Sequence, residues 1–232
     1  MTLIEICVED TAGVRIARDA GADRVELCSR LDIGGLTPSK EIIMASLPVA
    51  PPSGIQIMVR SRGGDFVYSK DEIKEIIDEI GKIRSFTQGS AVSCGFVVGA
   101  LREDGHIDHE AVQSFREAAG ECPLTFHRAF DCIPSLTEGL ETLIDAEYQH
   151  VLTTGGHPSN ADVNALRALV EQADNRLHII ASGGLRAHNV VDVMRQTGTP
   201  QVHMRAPHPL GGTDATETRR IVSCIRAFNA RI

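Results

Sequence analysis

Tryptophan is absent from this chain, and aromatic residues of all kinds make up only 4% of its 232 positions. A core with so few large rings must be built from Ile, Leu, Val and Ala, and few obvious anchors are left for an interface. Positive charge is also scarce. Lys and Arg total 23 against 31 Asp and Glu, a formal charge of −8. That balance argues against a nucleic-acid partner, which needs a basic surface, and against an anionic membrane surface. No run of about 18 apolar residues occurs, so no segment reads as a membrane span. The N-terminus enters a strand pattern at once, with no basic start and no apolar signal core, and the expected setting is cytoplasmic. The six cysteines, Cys7, Cys28, Cys94, Cys122, Cys132 and Cys224, form no Cys-x-x-Cys pair, which removes zinc-ribbon and thioredoxin-type readings. Lysine occurs only at 40, 70, 74 and 82, all in loop or helix patterns. A Schiff-base aldolase therefore lacks its nucleophile.

What is present is charge inside strands. Leu3-Ile4-Glu5-Ile6-Cys7 and Arg24-Val25-Glu26-Leu27-Cys28 share one alternation, and Gln56-Ile57-Met58-Val59-Arg60 is close to it. Side chains alternate across a strand, so the polar groups fall on the face opposite the aliphatic one. A parallel sheet packed under helices tolerates such a face only where it lines a site.

Strand-like and helix-like runs alternate from end to end. The strand patterns lie at 3–8, 24–28, 55–60, 94–98, 124–127, 150–153, 177–181 and 201–204. Between them fall helix patterns, the clearest over 69–86, with Ile73, Ile76, Ile77, Ile80 and Ile83 on one stripe and a Ser69/Glu72 capping signature. Eight β-then-α units without a linker or composition break predict one (β/α)8 barrel domain over residues 1–232, an α/β fold of the TIM barrel type. A doubly wound open sheet is the runner-up, but the first strand runs into Glu9-Asp10-Thr11 rather than a glycine fingerprint.

In a barrel the active site lies at the carboxyl ends of the strands. Glu5, Glu26, His127 and Asp131 are the candidates for proton transfer, with Arg60 beside them as a further catalytic candidate that would also help hold an anion. Gly183-Gly184 follows the seventh strand and Arg205 the eighth. With Ser182 and Arg128 they make a candidate anion site, because glycine amides approach an anion closely; a plain tight turn is the other reading of Gly-Gly. A hard divalent ion on Glu5, Glu26 and His127 is a further option. Cys7 and Cys28 lie two residues past Glu5 and Glu26 on adjacent strands. They read either as ordinary buried thiols or as a pair sharing a soft ion such as Cu(I).

Several longer motifs resemble the CutC family: Glu5-Ile6-Cys7-Val8, Gly21 to Cys28, Gly34-Gly35-Leu36-Thr37-Pro38-Ser39, Arg60 to Ser69, Gly99-Ala100-Leu101 with Asp104 to Asp108, and Thr125 to Asp131. The resemblance covers nearly the whole chain. It implies a (β/α)8 barrel, a cytoplasmic homo-oligomer, commonly a dimer, and copper homeostasis with Cu(I) on Cys7 and Cys28. The chain departs from the family pattern at His203-Met204-Arg205-Ala206, where Arg205 stands in place of hydroxyl contacts. The alternative function is an enzyme acting on a small anionic, perhaps phosphorylated, metabolite at the barrel mouth.

Overall fold

The computed structural model describes residues 1–231. Eight parallel strands close into a barrel in sequence order. They are β1 (Leu3–Val8), β2 (Arg24–Leu27), β3 (Ile55–Met58), β4 (Cys94–Val98), β5 (Leu124–Phe126), β6 (His150–Thr153), β7 (His178–Ala181) and β8 (Gln201–Met204). Pairing of β1 with β8 completes the cylinder and excludes the open sheet. The helices are α1 (Thr11–Ala20), α2 (Lys40–Ser46), α3 (Lys70–Thr87), α4 (His109–Ala119), α5 (Leu136–Asp145), α6 (Val163–Ala173), α7 (Val190–Thr197) and α8 (Ala215–Asn229).

The helix starts follow capping chemistry. Ser69 and Glu72 form the expected capping box at α3. Asp214 caps α8, its side chain accepting from the Thr216 and Glu217 amides, so that helix begins at Ala215. Three short 3-10 segments escaped the sequence pattern: Leu31–Ile33, Leu47–Val49 and Arg128–Cys132. β3 ends two residues before Arg60, because the Arg60 amide leaves the ladder and donates to Thr37 Oγ1 at 2.9 Å.

Strand alternation separates two layers. Ile4, Ile6, Val25, Leu27, Ile55 and Ile57 pack outward in the core shared with the helices. Cys7, Cys28, Met58 and Val97 form a separate small cluster inside the barrel. Much of the rest of the interior is polar: Glu5, Arg24, Glu26, Gln56, Thr125, His150, Gln201 and His203 are all buried, with Leu152 and Ile180 as apolar exceptions. The register sets Glu5 level with Arg24 on one side and with His203 on the other, and Cys7 level with Glu26.

Candidate functional site

The deepest part of the site is a charge network in the barrel interior. Arg24 Nε donates to Glu5 Oε2 at 2.5 Å, and Arg24 Nη2 donates to Gln201 Oε1 at 2.8 Å. Arg24 Nη1 lies 3.4 Å from His150 Nε2. The other Glu5 oxygen sits 2.7 Å from His203 Nδ1. Burial alone would raise the Glu5 pKa, but the Arg24 and His203 charges and hydrogen bonds outweigh it and hold Glu5 down to about 2. Breaking such a buried arrangement by deleting one partner leaves an uncompensated charge, which costs about 3–5 kcal/mol.

One level nearer the mouth sit Cys7, Glu26 and Cys28. One ligand atom from each lies within 4.8 Å of the other two. Cys28 Sγ donates to Glu26 Oε2 at 3.3 Å, and His203 Nε2 lies 3.8 Å from that same oxygen. A hydrogen bond from Cys28 and the proximity of His203 bring the Cys7 thiol down to about 5 despite its burial. Cys28 moves the other way, raised by its hydrogen bond to Cys7 and by burial. Burial and the Cys7 charge likewise raise Glu26 well above the usual carboxylate range. Burial would strip His203 of its proton, but Glu26, Cys7 and Glu5 overcome that and favour the imidazolium. The cluster is thus a thiolate and an imidazolium beside a thiol and a carboxyl. Glu26 Oε1 is left without a hydrogen-bond partner.

Above this floor opens a cavity of about 270 Å³. Cys7, Glu26 and His203 line its base, while Arg60, Phe66 and His127 form one wall and the Ser182–Arg186 segment another. The Arg60 guanidinium stacks 4.7 Å from the Phe66 ring centroid, and His127 lies 4.8 Å from the same ring. Burial and the Arg60 charge push His127 down to about 3, so the ring is neutral at physiological pH. Gly99 is required here, since a Cβ would stand 2.5 Å from the His127 ring. At Gly183, with φ +100°, a Cβ would meet the Ala161 amide nitrogen at 2.6 Å.

The structure brings together Cys7, Glu26, Arg60, His127, Arg128, Ser182, Gly183, Gly184 and Arg205 around this cavity. It leaves Glu5, Cys28 and Asp131 off its lining. Glu5 lies below the floor, tied to Arg24 and His203. Cys28 is fully buried behind Glu26. Asp131 accepts from Thr153 Oγ1 at 2.5 Å, from the Thr154 and Gly156 amides at 3.0 Å each, and from Arg128 Nε at 2.9 Å. Those four donors make it a brace for the turn after β6. Arg128 is held by Asp131 and by the Pro158 carbonyl. Ser182 Oγ donates to the Thr153 carbonyl at 3.1 Å. Arg205 reaches the Leu31 carbonyl at 3.5 Å and lies 3.9 Å from Glu9.

Sequence reasoning did not assign Arg24, His150 or Gln201 to the site, and it set His203 at the strand ends without giving it a role. The signal was present for two of them: Gln201 and His203 alternate on β8 as Glu5 and Cys7 do on β1. The soft sulfur donors, one already ionised, and the orphaned Glu26 oxygen suit a soft cation such as Cu(I) better than a hard divalent ion.

Fold and site define a (β/α)8 barrel protein with a buried thiol–carboxylate–imidazole cluster beneath an arginine-rich mouth. The CutC family model matches residues 2–207, and the chain belongs to that family. A CutC family protein of Mesorhizobium japonicum is 41% identical over 207 residues, spanning 89% of this chain and 78% of the relative. The human copper homeostasis protein cutC homolog is 36% identical over 206 residues, or 88% of this chain and 73% of that protein. The crystal structure of CutC from Streptococcus agalactiae superposes with a TM-score of 0.80 at 31% identity, covering 88% of this chain and 98% of that one. The phosphoribosylanthranilate isomerase of Pyrococcus furiosus, at a TM-score of 0.61 and 12% identity, shares the fold alone; the match covers 98% of this chain and 100% of that one.

Proposed function

We propose that this protein serves copper homeostasis by holding Cu(I) between Cys7 and Cys28, with Glu26 and His203 completing the surroundings. The observation that carries the reading is the buried triad of two sulfurs and a carboxylate oxygen within 4.8 Å of one another. The names of the human and streptococcal relatives support it. Thiolates are soft ligands that select Cu(I). Cys7 is ionised near neutrality and is ready to bind, whereas Cys28 gives up its proton on binding, so uptake is pH-dependent. Copper is the cargo here.

The reading includes a cytoplasmic setting, consistent with six free cysteines, and a dimer. No helix among the described residues is long and apolar enough to cross a membrane. The alternative, proton transfer on a small anionic metabolite by Glu5, Glu26, His127 and Asp131, has weaker support, because Glu5 and Asp131 are fully engaged with other groups. Titrating Cu(I) against a competing chelator tests the copper reading. Wild type binds stoichiometrically and the Cys7→Ser, Cys28→Ser double variant binds far more weakly. Equal affinity in the two proteins ends the proposal.

A further inference from the structure

The cavity above the cysteines has a charge composition opposite to that of the chain. The protein carries a formal charge of −8, yet Arg60, Arg128, Arg186 and Arg205 line this cavity against a single carboxyl group, Glu26. Arg60 stands out among them. It is 4% exposed and has no carboxylate within ion-pair range among the described residues. Its Nη2 donates to the Gly64 carbonyl at 2.8 Å and its Nη1 reaches the Gly35 carbonyl at 3.4 Å, while Nε has no partner. A buried guanidinium whose hydrogen bonds go only to carbonyls, and whose other contact is the Phe66 ring, carries a cost that an incoming anion would offset.

A second unpartnered donor stands nearby. His127 Nδ1 accepts the Ala129 amide at 3.2 Å, which places the proton of the neutral ring on Nε2, and Nε2 has no acceptor. Across the barrel, four strands from β3, the chain leaves β7 through Gly183, Gly184 and Leu185. None of those three amides has an acceptor among the described residues. Gly183 and Gly184 both have positive φ, and Arg186 follows on the cavity wall. Consecutive free amides beside a guanidinium form a concavity suited to phosphate. Two anion-seeking groups thus face one another across a mouth partly walled by Leu31, Phe66 and Leu152.

We propose that this cavity binds a small phosphate monoester bearing a carboxylate, with its phosphate on the Gly183–Leu185 amides and Arg186 and its carboxylate on Arg60 and His127. The site meets the copper reading only at its floor, where Cys7, Glu26 and His203 line the cavity; the proposed phosphate and carboxylate anchors lie on its walls and Cys28 does not line it. Among the residues expected from sequence to hold an anion, the anchor falls on Arg60. Arg128 and Ser182 already have protein partners, while the strongest unmet charge belongs to Arg60.

Calorimetric titration of the full chain with 3-phosphoglycerate, glycerol 3-phosphate, inorganic phosphate and malonate tests the proposal. 3-Phosphoglycerate binds about tenfold or more tighter than glycerol 3-phosphate, the increment of one charge-assisted contact. Malonate binds more weakly than either. Arg60→Met removes that tenfold margin, and because it deletes a buried unpaired charge it keeps or raises the melting temperature. Arg186→Met weakens both phosphate esters and preserves their ratio. Cys28→Ser, whose side chain does not line the cavity, binds 3-phosphoglycerate as wild type does while its Cu(I) affinity falls, which separates this site from copper. The proposal is overturned if wild type binds no phosphate probe, if malonate outcompetes the esters, or if the tenfold margin is missing or survives Arg60→Met. The ranking on wild type alone is decisive should that variant fail to fold.

Discussion

His203 Nδ1 lies 2.7 Å from the Glu5 carboxylate, although 198 positions separate the two residues in the chain. Closure of the barrel makes the pair, because β1 and β8 are neighbours only when the cylinder is complete. Glu5 in turn holds Arg24 on β2, so one carboxylate ties the last strand to the first two. The same imidazole approaches Glu26 with its other nitrogen, which couples the structural layer to the cysteine cluster above it.

Glu5→Gln therefore loosens the seam of the barrel. It leaves Arg24 and His203 buried without their counter-charge, and the expected loss is about 3–5 kcal/mol in urea unfolding. The pH dependence follows from the direction of the shift. Glu5 is held down to about 2, below its unfolded value of about 4.3, so its stabilisation is present above the unfolded value and disappears as pH falls through the folded one. Wild type loses stability between about pH 4.5 and 2. The Glu5→Gln protein has a shallower slope over that interval, and parallel slopes would remove Glu5 from the account.

The strand alternation of residues 3–7 and 24–28 was enough to reveal a polar interior and, with eight repeats, a barrel. Local pattern carries that information, because the period of two and the helical stripes are properties of neighbouring residues. The pairing of Glu5 with Arg24 and His203 was not legible. Arg24 lies at the start of its strand, where attention to carboxyl ends passed over it, and the contact depends on register between distant segments. Asp131 was visible as a conspicuous acid near β5. Its role as a brace became visible only once the 3-10 turn Arg128–Cys132 aimed it at the Thr153–Gly156 turn.

Cys7 carries the second prediction. Its thiol is brought down to about 5, first by the hydrogen bond from Cys28 and then, against the cost of burial, by His203. Thiolate absorbance at 240 nm, taken as the difference between wild type and Cys7→Ala, should rise through a midpoint near pH 5. Cys28→Ala moves the midpoint up, and His203→Gln moves it up as well, each by roughly 1–3 units. A midpoint that stays in place in both variants would show that neither neighbour sets the ionisation of Cys7.

Asp131 gives the third prediction, which separates a brace from a catalytic acid. Its two oxygens collect the Thr153 hydroxyl, the Thr154 and Gly156 amides and the Arg128 guanidinium, and its side chain is 4% exposed. Asp131→Ala leaves the Thr153 hydroxyl and the Thr154 amide unsatisfied at the buried start of the turn and costs about 2–4 kcal/mol. The effect is local as well as global: amide exchange at Thr154 and Gly156 accelerates more than at Cys7 or Glu26 on the far side of the barrel. The turn also supports the β7 loop, because the Asp162 amide donates to the Thr154 carbonyl at 2.7 Å and the Ala161 amide to the Gly183 carbonyl at 3.1 Å. Loosening at Thr154 thus propagates to Gly183, and exchange there rises too. An Asp131→Ala protein with wild-type stability and unchanged exchange at Thr154 and Gly156 would return Asp131 to the list of catalytic candidates.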